Sequence, residues 1–206
     1  MESLIVRGGW VMVPILLGSV VALTLVLERT WFFVTIRLDA QHFSEQIFLA
    51  VREGHLDKAK ESCGRVRHPI GQVFLTGLEH AGEELTEIER AMEREGRRQI
   101  SFVEKNLNFL VVVIGVEPLL GFLGTILGLI QAFMAWERLG AAVSVSTLAA
   151  GIYQAMITTA AGLIVAIPYY VLYNMLLSKV NATAQEVNHY GDELLSVLHQ
   201  SGKEKG

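Results

Sequence analysis

Residues 107–136 read LNFLVVVIGVEPLLGFLGTILGLIQAFMAW, and residues 147–176 read TLAAGIYQAMITTAAGLIVAIPYYVLYNML. The first stretch carries one charged side chain, Glu117, and no Asp, Glu, Lys or Arg occurs between residues 139 and 178. Uncharged runs well beyond about 18 residues exceed what a buried core helix needs and match the span of a bilayer. Between them, Glu137-Arg138-Leu139-Gly140 supplies charge and a turn. The two stretches are read as a membrane hairpin with one carboxylate deep in an otherwise uncharged span.

A third apolar run lies upstream, from Trp10 to Leu27, closed by Glu28-Arg29 and flanked by Trp10 and Trp31 at the depth amphipathic rings favour. Its leading segment has a single basic residue, Arg7, and the run lacks a small-x-small exit, so it reads as a span and not a cleaved leader. The fold class expected is all-α: an integral membrane protein with three transmembrane helices, the second and third continuing into the cytoplasm as long helices. Hydrophobic residues make up 51% of the 206-residue chain and the mean hydropathy is +0.41, which a soluble domain of this size does not need.

The chain divides by composition into residues 1–36 (N-terminal segment and first span), 37–106 (polar and helical), 107–178 (the hairpin) and 179–206 (a helical extension and a tail expected to be disordered from Ser201). Within the polar part, Asp39 to Val51, Glu53 to Cys63 and Ile70 to Ala81 show apolar residues at three- and four-residue steps. His68-Pro69-Ile70 reads as a break, and Gly64, Gly71, Gly77 and Gly82 as helix ends. Thr86-x-x-Glu89 has the form of a capping box opening a long helix. The apolar series Ile88, Met92, Ile100, Val103, Leu107 predicts that this helix enters the second span without a turn. After residue 178, Val180, Ala184, Val187, Leu194 and Leu198 keep helical spacing on a polar background.

Lys and Arg placement orients the spans. One basic residue precedes the first span (Arg7), one lies between the second and third (Arg138), and twelve lie in residues 29–106. The N-terminus is therefore expected outside, with the large loop and C-terminus cytoplasmic.

Glycines and polar groups mark the packed faces, because lipid removes the hydrophobic drive for helix association. Gly121, Gly124 and Gly128 follow Glu117 by four, seven and eleven residues, and at about 100° per residue they share its stripe, with Gln131 on the same face and Thr125 bordering it. On the third span Ala155, Gly162 and Ala166 fall near Thr159, with Gln154 and Thr158 on an adjoining face. Thr125 and Thr159 come out at similar depth, Glu117 nearer the cytoplasm and Gln154 nearer the outside, a ladder of polar groups across much of the bilayer. Threonines in membrane helices commonly bond to the carbonyl four residues back, and Gly124-x-x-x-Gly128 is ordinary packing vocabulary. A carboxylate is different: its burial costs several kcal/mol unless it is protonated, paired or hydrated, so function is the default reading.

Other chemistries find no support. Net charge is −4, so no basic surface for nucleic acid is expected. The one cysteine, Cys63, allows neither an intramolecular disulfide nor a cysteine-based zinc site. The six histidines lie outside the spans without ligand spacing, and no nucleophile elbow or phosphate loop occurs. No enzyme activity, metal or cofactor is expected.

Glu117-Pro-Leu-Leu-Gly-Phe-Leu-Gly-Thr-Ile-Leu-Gly128 and Gly151-Ile-Tyr-Gln-Ala-Met-Ile-Thr-Thr-Ala-Ala-Gly-Leu-Ile-Val-Ala-Ile-Pro168, followed by Tyr173-Asn174, resemble the MotA/TolQ/ExbB family, in particular its ExbB/TolQ branch. Leu27-Glu28-Arg29-x-Trp31 is similar to that branch as well. The resemblance implies a homo-oligomeric ring of five copies in the bacterial inner membrane, enclosing two copies of a single-span ExbD/TolR-like partner that carries an essential aspartate. It also implies that proton-motive force drives relative rotation and that work passes to an envelope target, with a TonB/TolA-like energy transducer among further partners. By motif, Thr125 and Thr159 match the family's lumen-facing threonines. Two positions depart: Gln154 stands where relatives often have Glu, and Glu117 where they often have Ala. Gln cannot exchange protons, so a carboxylate role at 154 is ruled out, and Glu117 becomes the candidate substitute. The rival reading is a structural membrane scaffold without ion conduction; a small-substrate transporter is disfavoured by the lack of inverted repeats.

Overall fold

The computed structural model describes residues 7–142 and 144–203. All regular structure among them is helical: α1 Met12–Thr35, α2 Ala40–Arg52, α3 Leu56–Arg65, α4 Pro69–Glu79, α5 Leu85–Val103, α6 Leu107–Leu139 and α7 Val145–Lys203, with one 3-10 turn at Gly140–Ala142. Three helical stretches are long and apolar enough to cross a membrane: Met12–Thr35, Leu85–Leu139 and Val145–Ser201. The chain forms two compact units. Among the described residues, 7–28 and 106–175 make a membrane unit, and 29–105 and 176–203 a polar unit.

The polar unit closes around one apolar core. Phe43, Ile47 and Val51 on α2 repeat every four residues; Ala59 and Cys63 on α3, Ile70, Phe74 and Leu78 on α4, Ile88 and Met92 on α5, and Val187, Leu194 and Leu198 on α7 complete it. The Phe43 and Phe74 rings stack at 6.1 Å between centroids, a geometry that adds to their area burial. Asp39 caps α2, its Oδ1 accepting from the His42 amide at 3.1 Å. Cys63 lies fully buried in this core, which pushes its thiol up to about 12 and leaves it inert as a nucleophile.

The capping box is out of register: α5 begins at Leu85 with Glu84 at the N-cap, and Thr86 lies inside the helix. The start is set instead by the turn before it, where Gly82 takes φ +108. Gly71 and Gly77 are not helix ends but lie inside α4, where a Cβ would overlap Val66 and sit 2.6 Å from the Met92 sulfur. The helix from 85 does not run unbroken into the second span. It ends at Val103, and Asn106 takes a left-handed φ of 70° before α6 starts. Asn tolerates that region better than other residues with a Cβ. Arg29 supports the α5 end: its Nη1 donates to the Val103 carbonyl at 3.4 Å, and its guanidinium lies 4.7 Å from the Phe32 ring. A cation at a helix C-terminus also meets the negative end of the macrodipole. α1 continues six residues past Arg29, to Thr35, so the helix extends beyond the apolar run that Glu28-Arg29 closes.

α7 runs 59 residues without interruption, about 90 Å at 1.5 Å per residue, against a hydrocarbon core of about 30 Å. Its first part belongs to the membrane unit and its second to the polar unit. The tail expected to be disordered from Ser201 is helical through Lys203; residues 204–206 fall outside the described residues.

His68 joins two elements of the polar unit. It is the N-cap of α4, its Nδ1 accepting from the Ile70 amide at 3.3 Å, and its Nε2 lies 3.6 Å from Glu186 on α7. Burial pushes the imidazole down to about 4 and moves Glu186 upward, so desolvation outweighs their attraction at this distance. A neutral ring with Nδ1 as acceptor carries its proton on Nε2, facing Glu186. Unfolded histidine titrates near 6.5, so the unfolded chain binds the extra proton between there and about 4. The cap is therefore fully stabilising above about pH 6.5 and weakens as pH falls toward 4, by at most about 3 kcal/mol, with Glu186 offsetting part of it. Amide-exchange protection of residues 70–74 should fall across that window and hold steady in His68→Asn, which keeps a capping acceptor without the titration.

Candidate functional site

The buried stripe of α6 is Leu107, Leu110, Ile114, Glu117, Gly121, Gly124, Gly128 and Ala132, at three- and four-residue steps. Gly151, Ala155, Thr158, Gly162 and Ala166 form the matching buried stripe of α7. The two backbones come close enough that several glycines admit no Cβ. At Gly128 a Cβ would sit 2.7 Å from the Gly151 carbonyl oxygen, and at Gly162 2.6 Å from that of Glu117. At Gly124 it would overlap the Thr158 side chain. Small residues allow this approach, and dispersion between the two backbones then holds the hairpin.

Thr158, not Thr159, lies at the centre of the α7 stripe. The helical wheel places Ala155, Gly162 and Ala166 around Thr159 with Thr158 on an adjoining face; in the structure Thr158 is fully buried against Gly124 and Thr159 half-buried at the edge. The hydroxyls differ accordingly. Thr158 Oγ1 donates to the Ala155 carbonyl of its own helix at 2.9 Å, and Thr125 Oγ1 to the Phe122 carbonyl at 2.6 Å. Thr159 Oγ1 instead crosses the seam and donates to the Gly121 carbonyl of α6 at 3.1 Å. It is the threonine whose bond ties the two helices together.

Glu117 is 2% exposed. Its carbonyl faces Gly162 of α7, while its carboxyl reaches Gly18 of α1, where a Cβ would overlap Oε1. Its Oε2 is buried without a hydrogen-bond partner among the described residues. The carboxyl is thus inside the protomer, at a junction of three helices, and turned toward α1. Gln154 is placed apart from these groups: it is half-buried, with Nε2 2.5 Å from where a Cβ of Gly9 would lie. Gly18 was not among the residues expected at the site. Its signal was present, since it is the one glycine in the run from Trp10 to Leu27, and a lone glycine in a membrane helix marks close approach.

This glycine-backed hairpin lies within residues 65–189, which match the model of the MotA/TolQ/ExbB proton channel family. The chain belongs to that family. A biopolymer transport protein of Synechocystis, ExbB-like 1, is 32% identical over 191 residues, covering 91% of this chain and 75% of the relative. A second Synechocystis protein, ExbB-like 3, is 32% identical over 176 residues, with 83% and 82% covered. The Tol-Pal system protein TolQ of Haemophilus influenzae is 39% identical over 111 residues, or 54% of this chain and 48% of the relative. The chain is a membrane protein of a proton channel family in its ExbB/TolQ branch.

Proposed function

We propose that this chain is the ring-forming subunit of a motor in the bacterial inner membrane, driven by proton-motive force. Five copies enclose a dimeric single-span ExbD/TolR-like partner, and ion flow past that partner is converted into mechanical work on the envelope or into active transport through a TonB/TolA-like transducer. Thr125 and Thr159 face the ion pathway, with Glu117 nearer the cytoplasm and Gln154 nearer the outside as flanking polar groups. The observation that carries this reading is the Thr159–Gly121 bond across a seam of glycines in a chain of this family. It leaves a hydroxyl at the edge of the seam, half-buried, where an ion moving along the hairpin would meet it. Co-expression with such a partner, native mass spectrometry of the complex and proton uptake into vesicles test it. A five-to-two complex that moves protons is the expected result, and a stable assembly that moves none would favour the scaffold reading.

The clustering of Lys and Arg in residues 29–106 supports an outside N-terminus and a cytoplasmic C-terminus. With Cys63 buried and inert, single cysteines can be introduced directly. Ser144→Cys should react with an impermeant maleimide on intact spheroplasts, and His199→Cys only after permeabilisation. The reverse pattern would invert the topology.

A further inference from the structure

We propose that Glu117 is a proton-binding site inside the protomer whose occupancy sets how closely α1 packs on α6, with Gly18 as its positioning residue. The proposal rests on reading Glu117 as a protonatable group of the membrane unit, but not on conduction by the ring. Glu117 is held on three sides. Its own helix places it on the buried stripe, Gly162 brings α7 against its carbonyl, and the missing side chain of Gly18 is the space its carboxyl fills. By sequence, the membrane stretches around it carry no other charged group. The apolar run of α1 from Trp10 to Leu27 and the stretch of α7 from 145 to 178 hold no Asp, Glu, Lys, Arg or His, and Glu117 is the one charged residue of α6 between 107 and 136. The tyrosines of α7 nearest in sequence to Gly162 are Tyr169 and Tyr153, seven and nine residues away, about 10 Å or more along the helix.

The consequence is electrostatic. A neutral carboxylic acid can remain in this seam, whereas a carboxylate with a buried, unpartnered oxygen is costly there unless water or a cation reaches it. The way in is the α1 side, since at Gly162 the α6 and α7 backbones are already in contact. Release of the proton to water therefore loosens α1 from α6, and uptake of a proton from water forms the O–H bond that lets the helices close. The ligand is the proton itself, and the moving part is the first span.

The test uses the full chain in phosphatidylcholine–phosphatidylglycerol vesicles, with two readouts. One is the infrared carbonyl stretch of a protonated carboxylic acid, absent in Glu117→Gln. The other is the distance between spin labels at cysteines replacing Val20 on α1 and Leu119 on α6, both exposed. Raising pH from about 5 to about 9 should remove the infrared band and lengthen the distance in the parent chain. Glu117→Gln should hold the short distance throughout. Gly18→Ala should show the long distance at every pH and lose the infrared band at a lower pH than the parent chain, a change that a purely structural role for Gly18 does not predict; combined with Glu117→Ala it should restore the short distance, which places the overlap at the Glu117 side chain. A parent distance that ignores pH, a response unchanged in Glu117→Gln, or an infrared band that never titrates would each overturn the proposal. Proton uptake by the complex with its partner is scored separately, so loss of conduction with these responses intact would count against the motor reading alone.

Discussion

Gly162→Val should destroy the membrane hairpin, the largest structural effect expected of any single change in the chain. A Cβ at 162 would stand 2.6 Å from the Glu117 carbonyl oxygen and 3.2 Å from the Gly121 Cα, both backbone atoms that no rotamer change can move aside. Overpacking against movable side chains costs about 1–3 kcal/mol, and a clash with backbone on a packed helix pair belongs at or above the top of that range. The folded fraction after extraction, followed by size exclusion and thermal melting in detergent, should fall to near nothing. Gly115→Val is the matched control, because nothing lies within 4 Å of a Cβ there. Equal melting of the two variants would mean that the helices do not approach as described.

The largest functional effect is expected at Thr159. Valine has the same shape and removes only the hydroxyl, so Thr159→Val loses the 3.1 Å bond to Gly121 and leaves packing in place. Interhelical hydrogen bonds in membranes average only about 0.6 kcal/mol, so melting should change little. Proton-driven activity with the partner present should nevertheless fall by at least about tenfold, a rise of about 1.4 kcal/mol in the rate-limiting barrier. Thr158→Val separates this from simple packing. Its hydroxyl is bonded to its own helix and buried against Gly124, away from the half-buried edge, so activity should persist. Equal losses at 158 and 159 would remove the distinction between a pathway threonine and a seam threonine.

Much of this architecture is legible in the sequence because burial in lipid writes in long words. Runs free of charge over residues 107–136 and 139–178 leave few alternatives to spanning helices, and the stripe from Glu117 to Gly128 follows from a period of about 3.6. Finer features depend on choices of a single residue. The Thr158–Thr159 pair is separated by one residue, about 100° of rotation, and both faces of α7 carry small residues, so the wheel alone did not select the buried one. The interruption at Asn106 has no Gly or Pro to announce it, and the end of α5 before it is capped by Arg29, 74 residues away in sequence from the carbonyl it caps. Gly71 and Gly77 look like punctuation in a linear reading, yet they are contact points, which only the positions of Val66 and Met92 reveal. The inward turn of Glu117 could be read from its glycine neighbours, but its aim at α1 could not, since periodicity within one helix says nothing about which partner it meets.

The glycine seam of α6 and α7 also bears on how such a chain can change over time. Where two helices recognise each other through bare backbone, their pairing is specified by the absence of side chains at a few positions: Gly121, Gly124, Gly128, Gly151 and Gly162. The outward residues of the same helices, such as Phe122, Ile126, Ile130, Met156 and Ile164, are exposed and make none of those backbone contacts. Substitutions there leave the bare-backbone contacts of the hairpin untouched. A handful of omissions can thus preserve a shared membrane core while most of its letters are rewritten.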